Sequence, residues 1–206
     1  MQWEHVEELL LGEADADLQE AGEVGPAVAA FTGEEPLLLA FLRPFERGAH
    51  LDAVVEVAAL AVPLGANRIA LSIGARAWSL DDPMPPVVPG VGDLRQRAVT
   101  VYRVDASRDE THQRSVLWPV EVGPGSVSWG EPFVEEGPPG QSVVGDLPNA
   151  LVALAEGSVS ASPEDVRAQA ARCATLGHDL YLAPEGERRL GLVVDDEAAD
   201  PGATLN

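Results

Sequence analysis

Lysine is absent from this sequence: all thirteen of its basic residues are arginines, set against 34 acidic ones. The resulting formal net charge of −21 repels phosphate backbones and anionic lipid surfaces. No basic patch interleaved with aromatics offsets it, which argues against nucleic-acid binding. Without lysine, a Walker-type phosphate loop cannot be completed. The one cysteine, Cys173, excludes an internal disulfide framework and any paired-cysteine metal knuckle. Long apolar runs are missing too. The longest, Val57 to Leu64, already contains Pro63 and falls far short of the ~18 residues a membrane span needs. The N-terminus, MQWEHVEELLLGE, lacks the basic start and apolar stretch of a signal peptide. A soluble, cytoplasmic chain with no membrane contact is the expectation.

Catalytic signatures are equally scarce. The four histidines, His5, His50, His112 and His178, form no HxH, HxxxH or HExxH pair, the spacings that set two imidazoles on one metal. Ser72 does not stand in a GxSxG elbow, because Ala70 occupies the place of the first glycine. No GxGxxG occurs. Neither a metal site nor a cofactor is expected. The order strand, helix, strand, strand resembles the core of the JAB-type metalloproteases. Their HxH and downstream Ser-Asp signature is missing here, and the resemblance implies no activity.

What is present is a chain of 206 residues, 46% hydrophobic, long enough to bury one core without disulfides or metals. Abundant alanine, glycine, valine and proline, with arginine as sole cation, reads as the codon bias of a GC-rich bacterial genome. The acidity is uneven. Residues 1–42 hold ten acids and no base, and residues 185–206 are net −4. The central segment, 43–184, carries only −7. This pattern divides the chain into an acidic N-terminal helix and linker (1–35), a globular α/β domain (36–194) and a frayed tail (195–206).

Periodicity fills in the elements. Trp3, Val6 and Leu10 recur at helical spacing, which predicts a short helix over 2–12. The acidic, small-residue stretch from Gly12 to Glu35 reads as linker. Leu37 to Leu42 is a buried strand, His50 to Val62 a buried helix, and Arg68 to Leu80 a strand in which Ile69, Leu71 and Ile73 alternate. Together they form a β-α-β unit if the strands are parallel, and otherwise an antiparallel pair with a helix laid across it. Residues 81–96 and 130–146 read as loops. Strands are expected at 98–104, at 115–122 and 126–129 as a hairpin, and at 179–182 and 189–194. Residues 147–155 form a short helix. The sharpest local signal is Ser162-Pro163-Glu164-Asp165, a capped helix start ahead of a second packed helix near 163–176, with Cys173 on its apolar stripe and Gly177 closing it. The fold class is α+β (or α/β), a single mixed sheet with a β-α-β core and an acidic N-terminal arm.

The densest polar cluster surrounds that unit. Ligands of open α/β sheets sit beyond the carboxyl ends of strands. Arg43 and Arg47 follow the first strand, while Arg76, Asp81 and Asp82 end or follow the second. With His50, these six are the candidate ligand-binding residues: arginines for a carboxylate or phosphate, histidine for acid-base work. Asp52 and Glu56 lie four apart on the buried helix. They are expected to face solvent, to pair with Arg68 or Arg76, or to hold a cation. Trp3 on the acidic arm is expected to dock on its own domain, on a second copy or on another protein. Two functions follow. The leading one is a non-catalytic interaction or accessory protein, meeting a protein partner or forming a homo-oligomer through the arm. The alternative is a small-molecule enzyme or binding protein using the polar cluster in residues 43–82.

Overall fold

The alternation of Ile69, Leu71 and Ile73 with Ala70 and Ser72 is that of a central strand, since all five side chains are buried. The computed structural model describes residues 2–46, 49–77, 87–88, 92–93, 95–107, 109–141, 146–157 and 161–192. In chain order the elements are α1 (Trp3–Glu20), β1 (Ala27–Thr32), β2 (Glu35–Phe41), α2 (His50–Ala61), β3 (Arg68–Ala77), β4 (Val87–Val88), β5 (Gly92–Asp93), β6 (Gln96–Asp105), β7 (His112–Gly123), β8 (Ser126–Trp129), β9 (Phe133–Gly137), α3 (Asp146–Glu156), α4 (Pro163–Leu176), β10 (Asp179–Leu182) and α5 (Pro184–Arg189). Eight strands form one sheet in the order β10-β2-β1-β3-β6-β7-β8, with β9 also paired to β7. The architecture is α+β.

Every strand pairing among the described residues is antiparallel, so the expected mixed sheet is corrected. The β-α-β unit is present in split form. β2 and β3 are each antiparallel to β1, which lies between them. They therefore run parallel to one another without touching. The inserted strand escapes notice in the sequence because Ala27-Val28-Ala29-Ala30 is poor in the branched and aromatic residues that mark strands. All four are buried, and small side chains let the helices approach both faces closely.

Cross-strand register assigns the faces. Val28, Ala30, Ile69, Leu71 and Val104 point to one side, where α2, α3 and α4 close the main core. Ala27, Ala29, Phe31, Ala70 and Val101 point to the other, beneath Val6 and Leu10 of α1. Ala14 and Leu18 continue that helix over Val99 and Val120. The helix thus runs eight residues past its expected end at residue 12. Its apolar stripe continues at a spacing of four, while Glu13, Asp15 and Asp17 between the stripe positions make the segment look like solvent-exposed linker. Leu10 is fully buried, and a leucine so placed contributes roughly 1.5–3 kcal/mol.

The capped helix is as expected. The Ser162 hydroxyl accepts from the Asp165 amide at 3.2 Å, and Gly177 closes α4 at φ +96°. Three expectations are corrected. Residues 130–146 are not wholly loop, because β9 pairs with β7 over Leu117–Gln113. Residues 184–189 form α5 rather than opening a strand at 189, with Pro184 in the first turn and Arg189 bonded to Glu185 one turn back at 2.7 Å. The expected loop at 81–96 carries the short β4–β5 ladder, and β6 already begins at Gln96.

Candidate functional site

Because β2 and β3 run the same way, Arg43 and Arg76 leave the sheet at the same edge. The start of β1, with Gly25 and Pro26, lies between them. Two cavities open there and meet across Val24 and Gly74. On the α2 side, a cavity of about 470 Å³ is lined by Arg43, Phe45, His50 and Ile73. On the α1 side, one of about 570 Å³ is lined by Arg76, Arg95, Arg97, Leu18 and Val120. The structure thus brings Arg43 and His50 to one cavity and Arg76 to its neighbour. Arg47, Asp81 and Asp82 lie outside the described residues.

Arg43 is engaged already. Its Nε donates to Glu56 Oε2 at 2.8 Å, Nη2 to Glu56 Oε1 at 3.0 Å, and Nη1 to the Pro44 carbonyl at 3.2 Å. This bidentate pair answers the Asp52/Glu56 question: the partner of Glu56 is Arg43, not Arg68 or Arg76. A second partner, His178, was not foreseen. The Arg43 amide donates to its Nδ1 at 3.1 Å. That leaves the proton on Nε2, which donates to Glu56 Oε2 at 2.9 Å. The hydrogen bonds from Arg43 hold the Glu56 carboxyl down at about 2, aided by the bond from His178 and opposed by partial burial. The His178 side chain is fully buried and both its ring nitrogens are used, so the dyad braces structure and has no free nitrogen for proton transfer. Cys173 closes the network by donating from Sγ to the Glu56 carbonyl at 3.3 Å, and burial raises its thiol above the ordinary range.

His50 is the first residue of α2, half-buried, with its ring 6.5 Å from that of Phe45. Arg76 is different from Arg43. It stands directly opposite Arg97 across the β3–β6 ladder. Like charges in such a pair oppose each other. Arg97 donates to the Gly22 carbonyl at 2.8 Å, just past the end of α1, and Arg76 donates to the Arg95 carbonyl at 3.1 Å. Main-chain oxygens hold both guanidiniums, and among the described residues neither forms an ion pair with a carboxylate. Sequence reading missed Arg95 and Arg97, although the cross-strand meeting of Arg97 with Arg76 follows once β3 and β6 are paired in register.

The N-terminal helix is folded onto its own sheet. Trp3 Nε1 donates to Asp105 at 3.2 Å, and its ring packs edge-on to Phe31 at 6.1 Å. The guanidiniums of Arg68 and Arg103 lie over that ring at 4.2 and 5.3 Å. Glu7 bridges Arg103 at 3.1 Å and Arg114 at 3.6 Å. Further along, Asp15 accepts from Trp129 Nε1 at 2.8 Å. The apolar stripe is thereby used within the chain: of the three dockings expected of Trp3, it is the one on its own domain that the structure holds. The acids of α1 hold part of the protein's arginine.

Among the described residues, no group of three or more His, Cys, Asp or Glu side chains is placed to hold a metal ion. No described helix is long and apolar enough to cross a membrane. No protein-family model, curated protein or solved structure matches the chain.

Proposed function

We propose that this protein is a non-catalytic binding protein whose cleft between the end of α1 and the β3–β6 ladder takes a small organic anion. The observation that carries this reading is the Arg76–Arg97 pair. Two cations face each other across a ladder, and among the described residues they are steadied by carbonyls instead of carboxylates. Such a pair is unfavourable until an anion joins it, and forked guanidiniums suit carboxylate or phosphate oxygens. The cavity of about 570 Å³ lies within the ~300–1,000 Å³ of small-molecule sites. Leu18, Val24 and Val120 on its walls suit an apolar body behind the anionic head. The net charge of −21 does not forbid this, since at physiological salt screening acts over about 8 Å and the nearest charges dominate.

Thermal-shift titration with carboxylates, phosphate esters and nucleotides tests the proposal. A ligand at 100 times its dissociation constant stabilises by about 2.7 kcal/mol, which is several degrees in a domain of this size. The shift is expected to vanish in Arg76→Gln and in Arg97→Gln. A panel with no shift, or a shift unchanged in both variants, overturns the reading.

A further inference from the structure

The end of the sheet opposite β8 is built differently from the arginine cleft. β10 is its terminal strand, and among the described residues it pairs only with β2. The bond from the Ala183 amide to the Leu37 carbonyl, at 3.1 Å, fixes which residues face inward. In an antiparallel pair, bonded and non-bonded positions alternate. Tyr181 and Asp179 therefore bond to β2, and the amides and carbonyls of Leu180 and Leu182 point away from the sheet.

Beside this open edge lies a groove. α1 crosses β3, β6 and β8 and leaves part of the same face of β2 and β10 uncovered. Register places Leu39, Phe41 and Tyr181 on that face. Leu9 borders it from α1, and with Leu39, Tyr181, Phe31 and Pro36 it lines a groove of about 240 Å³. Leu9 is 39% exposed and Tyr181 58%. Around it the surface is acidic: Glu8 and Glu13 flank Leu9 on α1, Glu35 precedes Pro36, and Asp179 lies on β10, all exposed.

We propose that the β10 edge and this groove bind an extended segment of another protein, alternating basic and apolar residues, by strand addition. Edge backbone supplies main-chain hydrogen bonds, and alternate side chains reach one face of the sheet. Apolar side chains on that face meet Leu9, Leu39 and Tyr181, and basic ones meet the rim. Charge decides against the nearer occupants. A second copy brings another −21 and the same acidic rim. Residues 193–206 carry four acids and no base.

The probe is a fluorescent nine-residue peptide of alternating arginine and leucine, compared by anisotropy with a peptide of equal composition in which the leucines are contiguous. The alternating peptide is expected to bind at least tenfold tighter. Leu9→Asp and Tyr181→Asp, both at exposed positions, are expected to weaken it at least tenfold, while Phe133→Asp on the far edge strand leaves it unchanged. No binding, equal binding of the two peptides, or equal binding by all variants overturns the proposal. So does a dimer in sedimentation that Tyr181→Asp dissociates, which assigns the groove to a second copy. Tenfold tighter binding after deletion of 193–206 assigns it to the tail and likewise overturns it.

Discussion

His178 donates to Glu56 at 2.9 Å across 122 residues of sequence. The same carboxylate holds Arg43, so one side chain of α2 ties the exit of β2 to the entry of β10. Removing it leaves a guanidinium and a buried imidazole without their acceptor. Breaking such a pair by deleting one partner costs about 3–5 kcal/mol when both groups are buried. With Arg43 partly exposed, about 2–3 kcal/mol is expected for Glu56→Ala. Urea unfolding measures this. A loss under about 0.5 kcal/mol, the scale of a neutral surface change, would show that the network braces nothing.

The same carboxyl gives the protein an acid dependence. Its folded pKa is about 2, against an ordinary value of 4.5. A depressed folded pKa means the unfolded chain takes up the proton first. The stabilisation is therefore complete above the ordinary carboxylate range and is lost as pH falls from there toward about 2. Unfolding free energies of the native chain and Glu56→Gln, measured between pH 6 and pH 3, should converge as pH drops. A gap that widens toward low pH contradicts this assignment.

Cys173 should be inert in the folded protein. Burial raises its thiol above the ordinary range, and the thiolate is the reactive form. Labelling by an aromatic disulfide reagent is expected to proceed no faster than the chain opens, and to become rapid in urea. Stoichiometric labelling of the native protein within the mixing time would mean that the contacts of Cys173 with Glu56 and α4 do not persist in solution.

The legible parts of the fold are those where local chemistry is loud. Ser162-Pro163-Glu164-Asp165 announces a helix start, and Ile69-Leu71-Ile73 announces a strand, because each signal is complete within a few residues. β1 was silent because its alanines owe their strand conformation to β2 and β3 on either side. The same holds at the arginine cleft. Arg76 could be singled out from its place at a strand end, but Arg97 joins it only through the β3–β6 register. For Glu56 the helical spacing allows solvent, Arg68 or Arg76, or a cation. Neither Arg43 nor His178 is among these, since His178 meets Glu56 only after β10 has paired with β2.

Two glycine substitutions should act in opposite directions and test α1 and α5 separately. Gly12 lies in the middle of α1, exposed, and a Cβ there meets nothing within 4 Å. Glycine inside a helix is about 0.5–1 kcal/mol worse than alanine, so Gly12→Ala should raise stability by that amount. It would add nothing if this stretch were the linker its acids suggest. Gly186 is buried where α5 meets β2, and a Cβ there would clash with the Leu37 carbonyl oxygen and sit 3.4 Å from Leu182. The obstacle is backbone, which cannot rotate aside. Gly186→Ala should therefore cost about 1–3 kcal/mol through overpacking, visible as a lower urea midpoint. Because the Leu37 carbonyl also accepts from Ala183 next to β10, amide exchange at Tyr181 and Ala183, which face β2, should quicken in the same variant. Unchanged stability in Gly186→Ala would mean that α5 does not rest on Leu37 in solution.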